Sequence, residues 1–138
     1  MKTEGQNLKQ LGSNKTNYCF EYPNSTILET FDNRRPERDY NIEFIFNEFT
    51  SLCPKTGQPD FATIKVNYTP DKYCIESKSF KLYMFSYRQN GAFMETITNQ
   101  ILDDMVKICQ PRLMKVEGIF NARGGTFINV TATYKSDS

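Results

Sequence analysis

The chain of 138 residues contains no histidine. This absence excludes Ser-His-Asp and Cys-His catalysis, together with every zinc or iron site that needs a histidine ligand. A reactive cysteine must therefore be activated by a carboxylate, a lysine, a helix N-terminus or the substrate itself. The sequence predicts no metal site.

Other absences narrow the class of protein further. No apolar stretch approaches the roughly 18 residues of a membrane span, so we expect no membrane partner. The net charge is only +1, whereas general nucleic-acid binding depends on many uncompensated basic residues. The four cysteines contain no C-x-x-C pair, and the N-terminus lacks a secretory segment. We therefore expect a reduced, cytoplasmic protein that binds no nucleic acid.

The hydrophobic pattern predicts one α+β domain over residues 1–138. A polar extension at about 1–17 is expected to be mobile or to cover a neighbouring subunit. Period-2 alternation predicts antiparallel strands at 40–46, 62–68, 114–120 and 128–134, with a turn at 69–72 joining the second to a short strand at 73–75. Helical spacing predicts one helix from Ser79 to a C-cap at Gly91, and another over 93–108 that ends before Pro111. This order indicates an antiparallel sheet with two helices packed on one face.

Aromatic residues are abundant, with 8 tyrosines and 11 phenylalanines. We expect aromatic packing to dominate the core or an interface.

The segment 49–61 carries the clearest chemistry. Cys53 and Asp60 bracket a loop that contains Pro54 and Pro59, which restrict its conformations. A cysteine supplies an attacking sulfur and an aspartate supplies or removes a proton, so the pair suits covalent catalysis. The alternative is a surface turn with a half-buried structural cysteine.

Two further segments have both a structural and a functional interpretation. At 76–83, the structural interpretation is a helix start that is capped by serines. The functional interpretation is a phosphate site, formed by free N–H groups of the helix start together with Lys78 and Lys81. Arg123-Gly124-Gly125 suits a hairpin turn, and it also suits a phosphate clamp in which the backbone approaches closely.

Glu95 lies in the first turn of the second predicted helix. A carboxylate is favourable there because of the helix dipole, and it is also able to bind the N–H edge of a guanine-like base. The chain has no G-x-G-x-x-G motif, so any dinucleotide would bind outside a Rossmann domain.

In this order, the segments resemble the 7-cyano-7-deazaguanine reductases, the nitrile reductases of queuosine biosynthesis, in their short single-module form. The resemblance extends over 28–125, and its most specific parts are 37–40, 49–54, 59–64 and 76–83. It implies a tunnelling fold, in which subunits assemble into multi-subunit barrels with active sites between them.

The resemblance also implies an activity. Two NADPH would reduce the nitrile of 7-cyano-7-deazaguanine to the primary amine, in the cytoplasm and as part of tRNA modification. Cys53 would attack the nitrile carbon to give a covalent thioimide, and Asp60 would protonate the nitrogen.

The family's binding residues carry over to matching positions. Substrate contacts are implied for Ile75, Glu76, Ser77 and Glu95, and NADPH contacts for Ser77, Lys78, Arg123 and Gly124. Before Glu95 the family pattern has a histidine, where this chain has Met94. Met94 is expected to cover the bound base without any acid-base role, which predicts less efficient hydride transfer.

Two other functions remain as alternatives. One is a binding module that keeps the deazaguanine pocket but has lost turnover, as Met94 suggests. The other is a metal-free pterin aldolase with Lys78 and Glu95 as its acid-base pair. Consumption of NADPH with the cyano-deazaguanine distinguishes the reductase from both.

Overall fold

The computed structural model describes Glu4, Leu8 and residues 23–137. The secondary structure comprises a 3-10 turn, six strands and two helices: η1 Ser25–Ile27, β1 Thr30–Asp32, β2 Ile42–Leu52, β3 Pro59–Thr69, β4 Tyr73–Ile75, α1 Ser77–Phe85, α2 Met94–Cys109, β5 Leu113–Arg123 and β6 Thr126–Lys135. Apart from Glu4 and Leu8, the predicted extension at 1–17 lies outside the described residues.

The long strands form one antiparallel sheet in the order β2-β3-β5-β6. The predicted alternation in β3 is confirmed, because Ala62, Ile64, Val66 and Tyr68 are buried and the residues between them are partly exposed. One face of the sheet therefore supplies the core and the opposite face is open.

A bulge at Asn47 and Glu48 interrupts β2. The register passes from Phe46 opposite Ile64 to Phe49 opposite Ala62, so β2 has one residue more than β3 over this stretch. Such an insertion moves every later side chain to the other face of its strand. As a result, Phe46, Phe49 and Ser51 all point inward, although Phe46 and Phe49 are three positions apart and would face opposite sides of a regular strand.

The stripe of α2 is confirmed for Ile97, Ile101 and Met105, which are fully buried. Phe93 precedes the helix and is 57% exposed, so its predicted place in the stripe is wrong. The helix ends at Cys109, and Gln110 takes the left-handed conformation with φ of 49° before Pro111.

The predicted limits of α1 are wrong at both ends. The helix begins at Ser77, because the Glu76 carboxylate accepts hydrogen bonds from the N–H groups of Lys78 and Ser79 and acts as the N-cap. It ends at Phe85, well before Gly91. Gly91 is no C-cap: it forms a β-bridge with Leu52.

The turn at 69–72 is present, but the strands that it joins do not pair with each other. β4 pairs instead with β1, in a separate two-stranded sheet with Thr30 opposite Ile75. The N–H of Ile75 donates to Tyr68 Oη at 2.9 Å, which ties β4 to the end of β3 through a side chain.

Arg112 holds the segment 36–39 beside this small sheet. Its guanidinium contacts Asp39 Oδ1 at 2.7 Å and Asp71 Oδ1 at 2.9 Å, and it donates to the Pro36 carbonyl. The hydroxyl of Tyr40 donates to Asn33 Oδ1 at 2.7 Å. The segment 37–40, which carries part of the family resemblance, thus makes contacts that stabilise the position of the small sheet.

Both helices pack against the inner face of the sheet, α1 through aromatic rings and α2 through its buried apolar stripe. Phe44 stacks on Phe80 of α1 with centroids 4.6 Å apart, and Phe49 lies 5.4 Å from Tyr87 and 6.4 Å from Phe120. The α+β architecture with two helices and antiparallel sheets is confirmed. In the part of the chain that the structure describes, no helix is long and apolar enough to cross a membrane.

The close approach of α2 to the sheet at Gly118 provides a test. In Gly118→Ala the new Cβ would lie 2.6 Å from Thr98 Oγ1 and 2.7 Å from Phe120 Cε1, and we expect overpacking to lower the free energy of unfolding by about 1–3 kcal/mol. In the control Gly91→Ala, the added Cβ would lie an ordinary 3.6 Å from Pro54 Cα. Urea denaturation measures both, and equal midpoints would contradict this packing.

Candidate active site

Cys53 begins the tight turn of the β2–β3 hairpin. Its N–H donates to the Gln58 carbonyl at 2.8 Å, and its own carbonyl accepts from the N–H of Gly57 at 2.9 Å. Gly57 has φ of 71°, which favours glycine. The turn is shorter than the sequence suggested, since β3 begins at Pro59 and Asp60 therefore belongs to a strand. A strand residue is held more firmly than a loop residue.

The turn activates the thiol of Cys53. Hydrogen bonds from the Thr56 hydroxyl and from the N–H groups of Thr56 and Lys55, with a contribution from Arg123, lower the pKa of Cys53 from 9.0 to about 7. A thiolate is the nucleophilic form of cysteine, so the lowered pKa increases the reactive fraction of this group at neutral pH.

The other described cysteines have the opposite character. Cys74 and Cys109 are buried free thiols, and burial raises both pKa values, that of Cys109 to about 12. Cys53 is free and partly exposed. The alternative that Cys53 is an inert structural cysteine is therefore not favoured.

Asp60 and Arg123 form an ion pair beside the turn. The distance from Arg123 Nη1 to Asp60 Oδ1 is 2.8 Å, and the other guanidinium nitrogen donates to Gln58 Oε1. The Asp60 side chain is 4% exposed and that of Arg123 is 36% exposed. Arg123 thus contacts both predicted catalytic residues, whereas the sequence suggested for it only a phosphate.

Sequence reasoning missed Ser51. It lies directly opposite Asp60 in the hairpin, and it is fully buried. Among the described residues, its hydroxyl has no hydrogen-bond partner. Period-2 counting back from Cys53 would have placed Ser51 on the same side of the strand, whereas counting forward from Phe46 places it on the opposite side because of the bulge at 47–48.

The predicted substrate residues Ile75, Glu76 and Ser77 lie together elsewhere, where β4 leads into α1. They line a cavity of about 400 Å³ together with Glu4, Leu8, Phe31, Ile42 and Phe44. The Glu76 carboxylate already accepts from the N–H groups of Lys78 and Ser79, at 2.8 Å each. The expectation that those two N–H groups are free to bind a phosphate is therefore wrong.

These two clusters lie at opposite ends of β3. Ile75 contacts Tyr68, and from Asp60 to Tyr68 the strand rises by roughly 26 Å at about 3.3 Å per residue. Within one chain, Cys53 and the Ile75–Ser77 cavity are thus roughly 26 Å apart along β3, too far to contact one bicyclic molecule.

Met94 and Glu95 start α2. They follow Gly91 by three and four positions, and Gly91 forms a β-bridge with Leu52, the residue before Cys53. Met94 is partly buried against the core. Glu95 is exposed and lines a surface depression together with Thr96, Asn99, Gln100, Asp103 and Asp104. The α2 N-terminus therefore belongs to the Cys53 end of the sheet.

The predicted cofactor residues are divided between the two ends in the same way. Ser77 and Lys78 start α1, while Arg123 and Gly124 form the tip of the β5–β6 hairpin, where Gly124 has φ of 58°. An ammonium, a guanidinium and an exposed glycine turn are groups that hold phosphates, so their chemistry fits NADPH. Over the described ranges, no cluster of side chains could hold a metal ion.

Comparison with known proteins decides the family. The family model for QueF-like proteins matches residues 59–138. An NADPH-dependent 7-cyano-7-deazaguanine reductase of Nitratidesulfovibrio vulgaris is 55% identical over 92% of this chain and 76% of its own length. One of Chlorobaculum tepidum is 60% identical over 80% of this chain and 95% of its own length. The chain belongs to the QueF-like reductase family.

A solved structure agrees on the fold. The archaeosine synthase QueF-Like, in its apo form, superimposes with a TM-score of 0.62 over 72% of this chain and 96% of its own. At 20% identity this likeness concerns the fold alone. The fold of this QueF-like reductase is the tunnelling fold that the sequence predicted.

The activation of Cys53 can be tested without any substrate. Thr56→Val removes the hydroxyl that contributes most to the low pKa of Cys53. We expect the pH midpoint of Cys53 alkylation by iodoacetamide to rise from about 7 toward 9.0. Mass spectrometry of the Cys53 peptide measures the alkylation rate at each pH. Thr63→Val, on the outer face of β3, is the control. An unchanged midpoint would show that Thr56 does not activate the thiol.

Proposed function

We propose that this chain reduces the nitrile of 7-cyano-7-deazaguanine to 7-aminomethyl-7-deazaguanine with NADPH, as a cytoplasmic step of queuosine formation. The observation that carries the proposal is a partly exposed thiol, with pKa lowered to about 7, beside a buried carboxylate. Relatives at 55% and 60% identity bear the name of this reductase.

The first step is covalent. The Cys53 sulfur adds to the nitrile carbon, one π bond of the triple bond breaks, and its electron pair moves to nitrogen. Asp60 accepts the proton that Cys53 loses and delivers it to this nitrogen, which leaves a neutral thioimide. The strand position of Asp60, next to the Cys53 turn, suits this transfer.

The residues that activate the Cys53 thiol also act in the reduction. When bound, NADPH supplies the hydrides for the two reduction steps. Between them, the bond from carbon to Cys53 breaks, its electron pair leaves with the sulfur, and the substrate becomes an imine. The Thr56 and Lys55 hydrogen bonds stabilise the departing thiolate. Each hydride addition is completed by one proton from solvent, so the reduction of nitrile to amine consumes two hydrides and two protons. Ser77, Lys78, Arg123 and Gly124 hold the phosphate groups of the cofactor.

Met94 covers the bound base and excludes water, since its side chain is already partly buried at the start of α2. It has no proton to give, in contrast to the histidine of the family pattern. Slower hydride transfer with intact thioimide formation follows from this substitution. Glu95, one position on, binds the N–H edge of the base.

We further propose that the active site forms between subunits of a homo-oligomer. The Cys53 and Asp60 cluster and the Ile75, Glu76 and Ser77 cavity lie roughly 26 Å apart along β3 of one chain. A bicyclic substrate touches both only if the second set comes from a neighbouring copy. The division of the phosphate-binding groups between the same two ends supports this arrangement.

Mass spectrometry tests nucleophile and substrate together. After exposure to the cyano-deazaguanine without NADPH, we expect wild-type protein to gain the full mass of the nitrile, because thioimide formation loses no atoms. Cys53→Ala should gain none, and Cys74→Ala, which removes a buried thiol, should behave as wild type. A mass gain in Cys53→Ala would refute the assignment. Adduct formation without NADPH consumption would instead favour the binding-module alternative.

Mixing two inactive variants tests the shared site. Cys53→Ala disables one end of the sheet and Lys78→Glu the other. If each site takes one end from each of two copies, random mixed assemblies should recover roughly a quarter of wild-type activity. NADPH consumption after joint refolding gives the measurement, with each variant refolded alone as the control. No recovery would place both ends of one site in the same chain.

A further inference from the structure

The hydroxyl of Ser51 is the one buried side-chain N or O atom within the described residues that lacks a hydrogen-bond partner. The residue is fully buried in β2. A buried hydroxyl without a partner is unfavourable, and native proteins seldom retain one without a reason. Ser51 therefore calls for an acceptor that becomes available in another state of the protein.

The residue opposite Ser51 in the hairpin is Asp60, whose carboxylate is an acceptor. Ser51 and Asp60 are directly opposite each other in the register, and both are buried, so their side chains lie on the same face. The Cβ atoms of such a pair are about 4.5–5.5 Å apart. A change of rotamer is enough to bring a serine hydroxyl into hydrogen-bond contact with a carboxylate at that distance.

In the present structure, Asp60 is already bound by Arg123. The proposed function gives Arg123 a second task, because it holds a phosphate group of the cofactor. Its guanidinium is 36% exposed, so a phosphate reaches it from solvent, whereas the 4% exposed Asp60 side chain stays in the interior. When Arg123 turns to the phosphate, a buried carboxylate loses its cation, which is costly unless another donor replaces it.

We propose that Ser51 is a positioning residue for Asp60, whose hydroxyl donates to the carboxylate when Arg123 turns to the cofactor. This inference rests on the proposed function. The exchange keeps Asp60 directed at the nitrogen of the thioimide while the arginine is occupied elsewhere. It also lowers the cost of cofactor binding, since the carboxylate is never left without a donor.

The test uses Ser51→Ala and NADP⁺, which binds without reacting. We expect Ser51→Ala to unfold at the same temperature as wild type or higher, because the free protein has no Ser51 hydrogen bond to lose. Thioimide formation without cofactor should also be unchanged. The dissociation constant for NADP⁺ should rise about tenfold, the size expected for one hydrogen bond to a charged group. Isothermal titration calorimetry measures it.

Two further variants make the result specific. Ser51→Thr keeps the hydroxyl and should restore NADP⁺ affinity, while Thr50→Ala removes a hydroxyl from the opposite face of β2 and should leave it unchanged. A lower unfolding temperature with wild-type NADP⁺ affinity would assign Ser51 a structural role only. Equal weakening in Thr50→Ala would also overturn the proposal.

Failure of the proposed function gives a different pattern. Wild-type protein that forms no nitrile adduct or binds no NADP⁺ would overturn both proposals at once. Wild-type protein that does both, together with a Ser51→Ala variant identical to it, would overturn the Ser51 role alone.

Discussion

The ion pair between Arg123 and Asp60 joins the tips of the β2–β3 and β5–β6 hairpins at 2.8 Å. Water screens the partly exposed guanidinium, so the pair contributes modestly to stability. Its main effect is on geometry. The same arginine reaches the carboxylate, the Gln58 side chain and the thiol of Cys53, and these contacts arrange the groups that the chemistry needs.

The second constraint is the length of β3. Every predicted site residue lies near one end of this strand or the other, so the sheet keeps the two sets apart within one chain. Among the described residues, β2 and β6 are the edge strands of the sheet. An architecture of this kind separates Cys53 from the Ile75–Ser77 cavity in each chain.

Much of the fold could be predicted from the sequence, because the features concerned are local. The Ile97, Ile101 and Met105 stripe follows from the helical period, and the turn at Arg123-Gly124-Gly125 follows from glycine, with φ of 58° and 79° at the two glycines. Cys53 and Asp60 could be singled out because their chemistry needs those residue types close together.

What could not be predicted depends on distant partners. The Arg123–Asp60 contact joins residues 63 positions apart, and no local pattern encodes it. The β1–β4 pairing involves strands of three residues, too short to show a period. Serines at 77 and 79 were expected to cap α1, but the N-cap is Glu76, whose carboxylate accepts from two backbone N–H groups of the helix.

The bulge at Asn47 and Glu48 has a consequence for how this protein tolerates change. These two residues are exposed, and no reacting group lies among them, so replacing either side chain should matter little. Losing one of them would also leave the hairpin in register, because at this point two residues of β2 face one residue of β3. Phe49 would still lie opposite Ala62 and Ser51 opposite Asp60. Deletion of Thr50, by contrast, would have no extra residue to absorb it, and Ser51 would no longer lie opposite Asp60. The bulge is thus a place where β2 can change in length without moving the chemical groups at its end.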